Sequence, residues 1–300
     1  MSIFEDSSIK TISILGCGWL GFPLARYLIR QGYTVKGSTT TPERVEQLEK
    51  EGIKPYVIRL LPEPEGRYLD QFLDTDVLII AVPPRVRGGM AESFHPTQIQ
   101  HIIEEVDHNR LSKVIYIGST SVYPNVRKQV TEKDAQGHDS VSRALLTAEE
   151  ILDDHHAIEC TILRCGGLMG YDRIPGKYFA GKTGLTTALV PVNYIHRDDV
   201  ILIIAGIIQY GRWEFTYNLV APIHPTRQEV YAKNAREFGF EPPQFSDQHT
   251  EEFKIVSSYN VISDLRYRFK YPDPMNFYYR MATEESSVKP DYPTEMPDLY

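Results

Sequence analysis

Lys10 to Ser38 reads KTISILGCGWLGFPLARYLIRQGYTVKGS, in the order strand, glycine loop, helix, strand. Thr11 to Leu15 is short, apolar and β-branched, the composition of a buried parallel strand. Gly16, Gly18 and Gly21 follow with the spacing G-x-G-x-x-G. Phe22 to Gln31 then has helical periodicity, with Leu24, Ala25, Leu28 and Ile29 on one face, and Gly32 stops it before Tyr33 to Lys36 begins a second strand. In such a loop the first glycine makes the tight turn and the second lets backbone approach a pyrophosphate. The third lets the helix pack on the sheet. The open N–H groups and positive dipole end of the helix then face the phosphates. Gly16, Gly18, Trp19, Leu20 and Gly21 are therefore candidate cofactor contacts.

Further strands are expected at 54–60, 76–82, 113–117 and 159–165. They alternate with helices at 45–51, 95–109 and 141–152. This alternation predicts an α/β fold, a Rossmann-type doubly wound parallel sheet. Ligands of such sheets sit outside the carboxyl ends of the strands, which places Ala81, Val82 and Pro83 on the cofactor cleft.

The end of the second strand bears on the cofactor. An Asp or Glu there would bond the ribose 2′-OH of NAD. The chain instead has Lys36, Gly37, Ser38, Thr39, Thr40 and Thr41, with no acid before Glu43. Ser38, Thr39, Thr40, Lys36 and Arg44 could accept a 2′-phosphate, so NADP is expected ahead of NAD. Thr41-Pro42-Glu43 also reads as an ordinary helix start with Thr41 as cap.

Bulk composition narrows the classes. The chain has 300 residues, 42% hydrophobic and 24% charged, with net charge −8. No block rich in Lys and Arg stands out, which argues against nucleic acid as a partner. No apolar run approaches the ~18 residues of a membrane span, and the acidic MSIFEDSSIK start is unlike a signal peptide. Three scattered cysteines suit neither a disulfide frame nor a metal site. A cytoplasmic protein with a small-molecule substrate is expected.

Gly118-Ser119-Thr120-Ser121-Val122-Tyr123 ends the fifth strand, where three hydroxyls are candidates for touching substrate. Here the chain resembles the extended short-chain dehydrogenase/reductase family, also called NAD-dependent epimerases/dehydratases. The resemblance rests on GCGWLG, IGSTSVYP, LRCGGLMG at 163–170 and NYIHRDDV at 193–200. It implies that Ser119 orients the substrate oxygen, with Thr120 and Ser121 beside it. It also implies that Gly166 and Leu168 contact the nicotinamide end, that His196 and Asp198 brace the two halves with His196 also a candidate substrate contact, and that the substrate is nucleotide-sugar-like. Homodimers are common in that family, so a second copy is the other expected partner.

The family's chemistry uses a Tyr-x-x-x-Lys pair on the next helix, whose tyrosine is the acid/base. Aligning Ala148-Glu149 with the family's Ala-Glu puts Val141 and Leu145 at those positions. SRALLTAEE resembles the atypical, YeeZ-like branch, which also lacks the pair. Arg143 could supply charge to ribose or substrate, or be salt-bridged at the surface. His138 is a second stand-in, or a surface histidine.

Residues 1–165, with 190–220 returning to them, are expected to form the dinucleotide domain. Residues 166–189 and 221–282 are expected to form a smaller substrate lobe, in which Arg173 and Lys177 could meet an anionic substrate. Asp198-Asp199 are expected to cap the helix that follows, and the acidic, proline-bearing stretch 283–300 is expected to be a mobile tail. Two functions follow: an NADP-binding epimerase-like or reductase-like enzyme, or a dinucleotide-binding sensor that has lost catalysis.

Overall fold

The computed structural model describes residues 8–61, 64–84, 91–106, 111–248 and 252–281. The expected tail at 283–300 and residues 85–90 of the loop after Pro84 lie outside the described residues.

A large sheet forms the centre. Its strands are β1 (Thr11–Leu15), β2 (Thr34–Thr39), β3 (Lys54–Leu60), β4 (Pro64–Gly66), β5 (Val77–Ile80), β6 (Lys113–Ser119), β8 (Glu159–Cys165) and β11 (Thr216–Leu219). They lie in the order β11-β8-β6-β5-β1-β2-β3-β4. All neighbours are parallel except β4, a short antiparallel edge that the sequence did not signal. The chain runs outward from β1 to β3, then crosses to β5 on the other side of β1. The carboxyl ends of β1 and β5 therefore flank the switch point, where a crevice opens.

Alternation along the strands divides the core into two layers. Ile12, Ile14, Val77 and Ile79 face α1 (Gly21–Arg30) and α6 (Arg197–Tyr210). Leu15, Leu78 and Ile80 face α3 (Leu69–Leu73), α4 (Phe94–Glu104) and α5 (Ser140–Asp153). Truncating one such fully buried isoleucine to alanine costs roughly 2–5 kcal/mol. Between β2 and β3 runs α2 (Val45–Lys50), entered by a 3₁₀ turn at Pro42–Arg44. Thr41 is extended there but caps nothing with its side chain.

Smaller elements complete the chain. β7 (Gln129–Val130) pairs with β12 (Ile255–Val256), and β9 (Gly167–Met169) with β10 (Tyr194–His196). Thr226 caps α7 (Arg227–Phe238) in a reciprocal arrangement with Glu229. A separate apolar cluster gathers Val192, Val230 and Tyr231 with Phe179 and Phe245. α8 (Tyr259–Leu265) follows β12.

One buried polar network ties α5 to the sheet. Arg164 on β8 bonds both oxygens of Glu149, with Nη2 to Oε2 at 2.6 Å. Its Nη1 also donates to the Tyr123 hydroxyl and to the Glu132 carbonyl. Tyr123 in turn donates to Asn218 Oδ1 at 2.6 Å.

Candidate functional site

Three cavities meet at Gly18, which lines each of them. The loop that produces this junction has distinct physical demands at its glycines. Gly16 has φ +105°, and a Cβ there would also lie 3.0 Å from the Ala81 carbonyl oxygen. A Cβ on Gly21 would come within 2.2 Å of the Gly16 carbonyl oxygen. Gly18 differs: a Cβ there would meet nothing within 4 Å. Its bareness serves the cavity, not the packing, and that fits a ligand whose phosphates approach the backbone. Leu20 begins α1 with no side-chain cap, and the first turn carries no acid. The open end of the helix is thus left to an anion.

The first cavity, about 460 Å³, runs from the glycine loop to the ends of β2 and β3. Ser38, Thr39, Thr40 and Arg44 line it, with Ala81, Val82 and Pro83 on the β5 side. Among the described residues that line it there is no carboxylate, and Arg59 is a second arginine. Ser38 is buried, and its Oγ accepts the Gly16 N–H at 2.8 Å. Arg44 donates to the Cys17 carbonyl at 2.9 Å, which holds the guanidinium beside the loop. Lys36 is a correction to the sequence reading: its ammonium turns away to the carbonyls of Gln71 and Asp74 and does not line the cavity. Arg59 was not among the sequence candidates, although alternation along KPYVIRL places it on the face opposite buried Ile58.

The second side of the junction, about 400 Å³, lies where the sequence reading expects the nicotinamide end. Trp19, Leu20, Ser119, Gly166 and Leu168 line it, together with Leu145 and Arg173. Leu145 thus presents an aliphatic wall where a lysine was sought. Val141 packs with Val122, Tyr123 and Leu145. Cys165 also lines this cavity, and burial pushes its thiol up to about 12, so it stays protonated. Ser119 Oγ accepts the Ser121 N–H and donates to Ser121 Oγ, each at 3.1 Å. No base touches it.

Several expected substrate contacts lie elsewhere. Thr120 and Ser121 face a different cavity, of about 200 Å³, beside Arg227 and Lys254, because a 3₁₀ turn at Thr120–Val122 swings the chain away after Ser119. Arg143 projects into solvent and forms a two-pronged ion pair with Glu92 at 2.8 and 2.9 Å. It lines none of these cavities. His138 sits on an exposed loop against the Gln136 carbonyl.

His196, expected also at the substrate, lines none of these cavities. It is fully buried and is itself the cap of α6, Nδ1 accepting the Asp198 N–H at 3.2 Å while Nε2 donates to the Tyr278 carbonyl. Burial pushes its pKa down to about 4, so the ring is neutral. Asp198 and Asp199 lie in the first turn and are not the cap. Asp198 accepts from Tyr171 and Lys270, and Asp199 from Tyr267 and the N–H groups of Lys270 and Tyr271. They hold segment 267–271 against α6. Sequence alone did not show this, because the partners lie about seventy positions away.

The third side of the junction, about 370 Å³, is lined by Arg26, Arg44, Arg197 and Arg280 around Trp19 and Phe22. Arg173 and Arg197 both lie over the Trp19 ring, 4.1 and 4.8 Å from its centroid, and Trp19 Nε1 donates to Asp172 at 2.6 Å.

With this geometry in hand, the likenesses to other proteins fall into place. A family pattern described as NAD(P)H-binding matches residues 16–210. The chain is 36% identical over 273 residues to protein YeeZ of Escherichia coli strain K12, covering 89% of this chain and 98% of that one. It is similar to a short-chain dehydrogenase/reductase superfamily protein from Agrobacterium tumefaciens solved with bound NAD, at TM-score 0.72 and 16% identity over 88% of this chain and 94% of that chain. UDP-N-acetylglucosamine 4-epimerase from Bacillus cereus gives TM-score 0.72 and 17% identity, over 88% of this chain and 94% of that chain. At these identities the two solved structures speak for the fold alone. No helix among the described residues is long and apolar enough to cross a membrane.

Proposed function

The chain belongs to the NAD(P)H-binding family, and on that premise we propose that it is an NADP(H)-dependent reductase of a small carbonyl compound. The observation that carries the cofactor choice is the first cavity. Arg44 and Arg59 line it, and no carboxylate does among the described residues. A ribose 2′-OH would find no carboxylate acceptor there, whereas a 2′-phosphate would find two guanidinium groups.

When bound, the nicotinamide supplies a hydride. The chain's own residues bind and orient. The Gly18 backbone and the uncapped start of α1 receive the pyrophosphate. Leu20, Gly166 and Leu168 form an apolar seat at the reaction end. Ser119 Oγ turns its proton from Ser121 to the substrate oxygen and stabilises the charge that grows there. The product oxygen takes its proton from water, because Leu145 and Val141 offer none. Tyr123 does not substitute for the missing acid: its hydroxyl is buried between Asn218 and Arg164.

Size supports a small substrate over a nucleotide sugar. Drug-sized ligands fill roughly 300–1,000 Å³, and about 400 Å³ here must hold the nicotinamide half as well. The aliphatic wall at Leu145 favours a second reading, a dinucleotide sensor without turnover. NADPH oxidation across a panel of small aldehydes and ketones separates the two. Turnover lost in Ser119→Ala supports the reductase. Tight NADPH binding with no oxidation across the panel supports the sensor.

A further inference from the structure

The reaction end of the cleft has an unusual electrostatic composition. Among the described residues that line it, Arg173 is the one charged side chain, and Ser119 is the one hydroxyl. The remaining wall is glycine, proline, aliphatic side chains, the Cys165 thiol and the Trp19 ring. Arg173 is half-buried. Among the described residues no carboxylate forms an ion pair with it and no hydrogen-bond acceptor takes its guanidinium. The adjacent carboxylate, Asp172, is engaged by the Trp19 indole N–H.

The cation is nonetheless held in place. Its guanidinium carbon lies 4.1 Å from the centroid of the Trp19 ring. A backbone bridge between Gly170 and Arg173 fixes the turn that carries it. Trp19 belongs to the glycine loop, so the loop that would receive the cofactor also positions this cation. A partly desolvated guanidinium that has the like charge of Arg197 nearby, and that reaches Asp172 only through space and not by an ion pair, is costly to the free protein, and that cost falls when an anion arrives. Its planar fork matches a carboxylate through two parallel hydrogen bonds.

We propose that Arg173 is the anchor for a carboxylate on the substrate, so that the protein acts on small carbonyl or hydroxy acids. The inference rests on the reductase reading for the cofactor's place in the cleft. The assignment also separates Arg173 from the four arginines on the far side of Trp19, which do not line the reaction end.

The test uses the full chain saturated with NADP⁺ and oxalate as a carboxylate probe, followed by calorimetry. The wild type is expected to bind oxalate. Arg173→Gln is expected to weaken it by at least about tenfold, the scale of a lost charge-assisted hydrogen-bond pair. Arg280→Gln, on the far side, is expected to leave oxalate binding unchanged, whereas replacing oxalate by neutral oxamide is expected to abolish binding. NADPH affinity measured on the same variants reports whether the fold and cofactor site survive. Oxalate binding that is equal in wild type and Arg173→Gln, or absent in the NADP⁺-loaded wild type, overturns the assignment of Arg173. Failure of the wild type to bind NADPH overturns the reductase reading instead.

Discussion

Ser38 Oγ accepts the backbone N–H of Gly16 at 2.8 Å, joining the end of β2 to the start of the glycine loop. The serine therefore shapes the loop before it touches any ligand, and its own proton remains free to be donated. Ser38→Ala would leave the Gly16 N–H without that acceptor, a loss of about 1–3 kcal/mol. Thermal denaturation should show lower stability. Titrations should show NADPH and NADH weakened together, with their ratio unchanged. A selective loss of NADPH would assign Ser38 to the phosphate alone.

Gly18 and Gly21 should respond to substitution in opposite ways. A Cβ at Gly18 meets nothing within 4 Å, whereas one at Gly21 meets the Gly16 carbonyl at 2.2 Å. Gly18→Val should keep the melting temperature and abolish dinucleotide binding. Gly21→Ala should lower the melting temperature first. Retention of NADPH binding by Gly18→Val would contradict the place given to the pyrophosphate.

Much of this architecture was legible in the sequence for a physical reason. Continuous apolar strands such as VLII, a helix stopped by Gly32, and glycines at fixed spacing are local signals. The parallel sheet and the glycine loop follow from them. What was not legible depends on long-range pairing. Lys36 lies on the strand end that should meet the cofactor, yet it turns to carbonyls 35 and 38 positions away. His196 lies in a family motif but serves as a buried helix cap. The three hydroxyls after Gly118 look equivalent until the 3₁₀ turn sends Thr120 and Ser121 to another cavity. Arg143 meets Glu92 across 51 positions, which no local pattern encodes.

The Arg164–Glu149 pair makes the fold sensitive at α5. Both side chains are nearly inaccessible, and they are 2.6 Å apart at closest approach. Glu149→Ala leaves a buried guanidinium uncompensated and should destabilise the protein by roughly 3–5 kcal/mol, read by denaturant unfolding. A loss under ~1 kcal/mol, the value of an exposed pair, would show that water reaches Arg164.

Acid should weaken the fold below about pH 6. Burial pushes His95 and His196 down to about 4 from 6.5, and Asp199 up to about 6 from 3.8. Between pH 6 and 4 the unfolded chain binds two histidine protons that the native state refuses, while the native state holds one Asp199 proton that the unfolded chain lacks. The net difference is two minus one, so stability falls as pH falls, by about 1.4 kcal/mol per pH unit. His224, also held down by burial, adds in the same direction, while Glu149, whose carboxyl burial pushes up, opposes it. The melting temperature should drop between pH 6.5 and 4.5, and His95→Gln should flatten that drop. A melting temperature that rises on acidification would reverse the sign of this account.

The most direct test of the central claim is a side-by-side calorimetric titration of the purified protein with NADPH and NADH, in the wild type and in Arg59→Ala. Hydrogen bonds to charged groups contribute about 1.5–3 kcal/mol, so the wild type should prefer NADPH by roughly tenfold or more. Arg59→Ala should narrow that preference and leave NADH affinity unchanged. Equal or tighter NADH binding by the wild type, or binding of neither dinucleotide, would contradict the account.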